Sequence, residues 1–149
     1  MQKIILFILC IFFTFLEQSQ AEDEYFMTLR YDIVNLRQGP TKDYPIKIFY
    51  KKKFLPVLIQ DTSYNFRKIR DHENNSGWIH ISQLSKKKAA ITIGNNEIMF
   101  KRATIYSNPI AILEVGRLVK IIKCKEGWCK VKVDKYKGWV KQNALWGRL

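Results

Sequence analysis

The sequence predicts an all-β chain made of two small tandem units behind an N-terminal leader. Three observations carry that prediction: short β-branched and aromatic runs alternate with turn signals, long helical patterns are absent, and the second half echoes the first. Val34-Asn35-Leu36-Arg37-Gln38-Gly39-Pro40 is matched by Ala103-Thr104-Ile105-Tyr106-Ser107-Asn108-Pro109. Ser76-Gly77-Trp78-Ile79-His80 is matched by Lys137-Gly138-Trp139-Val140-Lys141.

The leader comes first in the chain. Lys3 precedes an apolar run from Ile4 to Leu16, and Ser19 and Ala21 stand before the acidic Glu22-Asp23-Glu24. This is the grammar of a secretory signal peptide over 1–21, cleaved after Ala21. The apolar run is shorter than the ~20 residues a spanning helix needs, so no membrane span is expected after cleavage. Ile8-Leu9 stand where a lipobox before Cys10 wants small residues, and Cys10 leaves with the leader.

In the first unit, 22–85, strands are expected near Ile33–Arg37, Phe54–Gln60, Asn65–Arg70 and Gly77–His80. Gly39-Pro40, Asp61-Thr62-Ser63 and Asn74-Asn75-Ser76-Gly77 supply turns between them. Ile81-Ser82-Gln83-Leu84 suits one helical turn. Lys86-Lys87-Lys88 then marks a boundary, because three adjacent like charges resist packing. Residues 86–99 read as a basic linker with a hairpin around Gly94-Asn95-Asn96, which either belongs to the second unit or stitches the two together. The second unit, 100–149, has strands near Arg117–Lys123, Cys129–Val133 and Gly138–Lys141. Alternation is clearest at Cys129-Lys130-Val131-Lys132-Val133, with cysteine and valines inward and lysines outward.

Cys124 and Cys129 are the cysteines left after cleavage, and they bracket Lys125-Glu126-Gly127-Trp128, a tight-turn sequence. In an exported chain this pair reads as a disulfide across adjacent strand ends. No metal or cofactor is expected, since neither histidine lies near the cysteines in sequence.

The formal charge is +13, and Lys3 and Glu17 cancel within the leader. Such a surface attracts polyanions, although the lysines read equally as a solvated face of an AT-rich gene's product. Export makes nucleic acid the least favoured of those polyanions.

The opening Asn35-x-Arg37-x-Gly39-Pro40, a central hairpin, and Gly77-Trp78-Ile79-His80 running into a one-turn helix resemble the bacterial SH3-like domains of exported proteins. The resemblance covers nearly the whole mature chain and implies tandem small, five-stranded, partly open β-barrels used for binding, often at the cell wall. Cys124 with Gly127-Trp128-Cys129 is similar to the alphaproteobacterial branch and strengthens the disulfide expectation. The second unit departs from the pattern, with Thr104 and Tyr106 where the family favours Asn and Arg. Signalling SH3 domains place an apolar proline slot where His80, Lys141, Gln83 and Ala144 stand here, which argues against proline-rich ligands.

No catalytic constellation is visible. His72 lies in a polar turn, His80 aligns with Lys141 on an exposed strand position, and the carboxylates Asp32, Asp43, Asp61 and Asp71 are scattered. Binding is the better-supported chemistry. Candidate ligand residues are Asn35, Arg37, Tyr44, Phe66, Trp78, Tyr106 and Trp128. Arg37 offers a planar fork for a carboxylate, and exposed rings stack on sugars or anchor peptides. For Asn35 and Arg37 the competing reading is local: Asn35 caps the loop and Arg37 pairs with Asp43. For the Gly-Trp tryptophans it is core packing.

The sequence thus points to a non-catalytic periplasmic protein binding peptidoglycan or another anionic envelope component, through a groove around Arg37, Tyr44 and Trp78. The alternatives are docking of a periplasmic protein between the units, and an accessory role that localises or activates a wall hydrolase.

Overall fold

A computed structural model describes residues 23–149. The leader, its cleavage after Ala21 and Cys10 lie outside the described residues. Fourteen strands follow: β1 Tyr25–Leu29, β2 Val34–Arg37, β3 Ile46–Tyr50, β4 Pro56–Ser63, β5 Phe66–Arg70, β6 Ser76–His80, β7 Leu84–Ser85, β8 Ala89–Thr92, β9 Glu97–Phe100, β10 Pro109–Leu113, β11 Leu118–Lys125, β12 Trp128–Val133, β13 Tyr136–Lys141 and β14 Leu145–Gly147. One-turn 3-10 helices, Ile81–Gln83 and Gln142–Ala144, precede β7 and β14. None of the described helices is long and apolar enough to cross a membrane.

The strands form two seven-stranded antiparallel sheets of the same topology, β3-β2-β6-β5-β4-β1-β7 and β10-β9-β13-β12-β11-β8-β14. The all-β tandem expectation holds, with seven strands per sheet instead of five and neither sheet closed. Short strands explain the difference: β1, β3, β7, β10 and β14 lack a long alternating run, and they are defined by pairing with partners distant in sequence. The hairpin expected around Gly94-Asn95-Asn96 does not form: β8 pairs with β11 and β14, β9 pairs with β10 and β13, and both strands belong to the second sheet.

The register between the units also differs from the first sequence echo. Arg37 pairs with Trp78, and Phe100 pairs with Trp139. The counterpart of Val34–Arg37 is therefore Glu97–Phe100, while Ala103–Asn108 is a loop. Packing sets this register. A Cβ on Gly77 would stand 2.6 Å from the Arg37 carbonyl oxygen and 2.8 Å from Leu36, and one on Gly138 would stand 2.4 Å from Met99 and 2.8 Å from the Phe100 carbonyl oxygen. Each inward glycine thus makes room for an inward Leu36 or Met99, both fully buried.

Alternation then builds two cores. Val34, Leu36, Val57, Ile59, Ile69 and Ile79 centre the first, and Met99, Val119, Val131 and Val140 the second. Expected turn residues Asp61-Thr62-Ser63 instead extend β4, and the chain reverses at Tyr64-Asn65, where Tyr64 takes φ 46°. In the matching hairpin Cys124 and Cys129 are register partners, 4.0 Å apart at Cα and joined by a disulfide. Glu126 and Gly127 between them have φ of 51° and 78°. Two successive positive values are the backbone of a type I′ hairpin turn, for which Gly127 is suited.

The units are in contact. The Trp146 ring meets Phe26 edge-on at 4.9 Å and joins the first core, as does Ile91 of β8. Arg148 reaches back to the carbonyls of Phe26 and Lys86, at 2.8 and 3.0 Å. The linker carbonyls of Lys87 and Lys88 accept from Thr28 Oγ1 and the Ile121 amide, at 3.0 and 3.1 Å.

Candidate functional site

A cleft of about 300 Å³ opens in the first unit between the end of β2, the start of β5 and the first 3-10 helix. Asn35, Arg37, Lys42, Phe66, His80, Ser82 and Gln83 line it. Strand parity places the first residues: Val34 and Leu36 face the core, so Asn35 and Arg37 face out. The Arg37 Nη1 donates to the carbonyls of Lys42 and Tyr44, at 3.0 and 2.8 Å, clamping the loop that follows β2. Its partners are main-chain oxygens and not the Asp43 carboxylate of the local sequence reading. Phe66 forms an apolar wall, 7 % exposed, with His80 edge-on at 5.1 Å. His80 also caps the helical turn: its Nδ1 accepts from the Ser82 amide at 3.2 Å and shares a 2.7 Å hydrogen bond with Ser82 Oγ.

A second cleft, about 570 Å³, occupies the same place in the other unit and is lined by Gly127, Trp128, Lys141, Gln142, Asn143 and Leu149. Register makes the correspondence explicit, because Phe66 pairs with His80 and Trp128 with Lys141. Phe100, the counterpart of Arg37, meets the Trp128 ring edge-on at 5.8 Å. One scaffold position thus carries two chemistries. The first unit offers cations and polar groups beside a phenyl ring, while the second offers an indole beside a lysine and two amides.

The predicted residues divide among these places. Asn35, Arg37 and Phe66 meet in the first cleft, and Trp128 lies in the second. Tyr44 is exposed, its ring over Gly39, where a Cβ would stand 2.6 Å from ring carbons. Trp78 is half-buried beside Arg37 and Lys68 on the outer sheet face, since its neighbours Gly77 and Ile79 point inward. Tyr44 and Trp78 thus flank the clamp without lining the cleft. Tyr106 lies in neither cleft; it is 91 % exposed in the 103–108 loop, displaced from the Arg37 position by the corrected register. The sequence reading missed Lys42, Ser82 and Gln83 in the first cleft, and Gln142, Asn143 and Leu149 in the second, with Phe100 behind the Trp128 ring. The aligned His80 and Lys141 were the available signal, since both stand where a strand enters a one-turn helix.

Asp71 has a structural duty. It is 1 % exposed, and its carboxylate accepts from the amides of Glu73 and Asn75, the Asn75 side chain and the Tyr50 hydroxyl at 2.8–2.9 Å. Burial, reinforced by that hydrogen bond and by the charges of Asp71 and Glu73, pushes the Tyr50 phenol far above its usual range. Among the described residues no three His, Cys, Asp or Glu side chains gather as a metal site would require.

A family model described as "Bacterial SH3 domain" matches residues 30–86 and again 94–147. No curated protein matches the chain. Solved structures of NlpC2 and NlpC1 from Trichomonas vaginalis match at 14 % identity and a TM-score of 0.39, over 85 % and 86 % of this chain. They are covered over 49 % and 47 % of their own chains, so this chain spans about half the length of the structures it matches.

Proposed function

This chain belongs to the bacterial SH3 domain family, as two tandem copies, and we propose that it is an exported, non-catalytic protein that binds peptidoglycan through the first cleft. The observation that carries the reading is the recurrence of a cleft at one scaffold position in both units, with complementary linings. Stem peptides bring carboxylates and amides together, and the first lining answers both. Arg37 and Lys42 supply positive charge, while Asn35, Ser82 and Gln83 supply neutral hydrogen-bonding groups. Pyranose faces stack on indole, which the second lining supplies as Trp128. Periplasmic residence is part of the proposal and follows from the leader grammar.

The test is retention of the mature protein on purified, protein-free sacculi across a salt series. Arg37 clamps its own loop, so the cleaner probes are Lys42→Ala and Gln83→Ala, with Trp128→Ala for the second cleft. Binding that survives moderate salt and falls about tenfold in a folded cleft variant supports a specific wall site. Binding that disappears with salt and ignores all three substitutions reduces the interaction to the +13 charge and rejects the proposal.

A further inference from the structure

A cleft of about 750 Å³, larger than either paired cleft, lies elsewhere on the first unit beside the linker. Its base is apolar: Met27 and Leu84 are buried at the bottom, with Ile81 and Phe54 half-buried beside them. Its rim is cationic, from Arg30, Lys53, Lys86 and Lys87, and no acidic residue lines it. The ion pairs among the described residues, His72–Glu73 and Arg117–Asp134, leave these cations untouched. Arg30 is oriented by its Nε, which donates to the Leu84 carbonyl at 2.9 Å.

Phe54 draws attention to the same place. Its φ of 66° is a left-handed conformation that a bulky side chain rarely adopts. The Phe54 amide is tied to the Leu29 carbonyl at 2.9 Å. Glycine would meet that backbone demand without strain; phenylalanine instead brings a ring to the cleft between two ammonium groups. Lys53 Nζ stands 5.4 Å and Lys120 Nζ, from the second unit, 4.8 Å from the ring centroid. Strain of this kind concentrates where a site needs a side chain held in place.

We propose that this cleft docks an acidic peptide segment of a partner protein, with one aromatic or aliphatic side chain entering the apolar base and flanking carboxylates meeting the rim. Charge complementarity selects an acidic occupant. The recessed floor selects a projecting side chain over a bilayer, because a membrane-lying surface needs apolar groups that protrude. Lysines on flexible stems suit several carboxylates on a mobile segment better than one planar group needing a fork. The proposal is independent of wall binding, since the paired clefts could fail as wall sites and leave this one unchanged.

The probe is Asp-Glu-Phe-Glu-Asp-amide carrying fluorescein on its N-terminal amine, followed by anisotropy on the mature chain at physiological salt. A second peptide carries Ser in place of Phe, and a third carries Asn and Gln in place of the acids. The first peptide is expected to bind at least about tenfold tighter than either control. Phe54→Gly, and Lys86→Ala combined with Lys87→Ala, are each expected to weaken it by about tenfold or more. Phe54→Gly relieves the left-handed strain but gives up a half-buried ring and adds unfolded-chain entropy, so its melt is measured alongside. Affinity lost in a variant that still melts cooperatively reports the ring and not misfolding. Equal binding of the peptides, unchanged affinity in the variants, or no binding at all would overturn the proposal. So would retention on phosphatidylglycerol vesicles through the same lysines without peptide binding.

Discussion

Arg37 divides its guanidinium between scaffold and cleft. The sequence left open whether it served a ligand or paired with Asp43, and the two carbonyls it holds could not be read locally, because they depend on how residues 38–45 turn back toward β2. Asp71 was harder to read. In sequence it is one carboxylate among several near turns, and its buried partner Tyr50 lies 21 residues away. The Tyr50 phenol has a folded-state pKa above its unfolded value near 10. Its contribution to stability is therefore fully present below about pH 10 and is lost as pH rises from there toward the folded value. At pH 7 Tyr50→Phe should cost about 1–3 kcal/mol, since a buried carboxylate loses a donor. Urea titrations at intervals from pH 8 to pH 11 should show the gap between parent and variant narrowing above pH 10. A gap that stays constant across that range would mean that the phenol titrates alike folded and unfolded.

Among the elements, the two Gly-Trp strands were legible because their signal is local, a Gly-Trp-aliphatic triplet with a helical turn beginning at the same offset. Whether the tryptophans pack inward was not legible, and Trp78 is half-buried while Trp139 is buried. The opening echo misled because it matched prolines, whereas register is set by Leu36 and Met99 settling over Gly77 and Gly138. Pro40 lies early in the loop after β2 whereas Pro109 begins β10, so equal spacing did not mean equal position. The cysteine hairpin was legible because its turn, strand ends and pairing fall within one short segment. Closing so short a loop removes little chain entropy, and the disulfide should stabilise by about 2 kcal/mol. Unfolding free energies from urea titrations of the oxidised and the dithiothreitol-reduced protein should differ by that amount, with similar slopes. A much larger loss would assign Cys129, fully buried against the second core, a packing role that the reduced thiol fails to fill.

Across the whole molecule, the charge of the basic linker said nothing of what spans it. Trp146 and Arg148 reach Phe26 over more than a hundred residues of chain, a contact no local pattern encodes. The consequence is thermodynamic. Two small units with only a tether between them would melt separately, whereas these place Ile91 and Trp146 of one against the core of the other and pin the linker carbonyls between them. Calorimetry of the parent should give one endotherm with matching calorimetric and van't Hoff enthalpies. Trp146→Ala should cost about 3 kcal/mol and split the transition, because it removes the shared ring while leaving the buried residues of β11–β13 in place. If that variant instead melts as one shifted transition, the coupling resides in Ile91 and the Arg148 hydrogen bonds. Arg148→Ala would then be the substitution that separates the units.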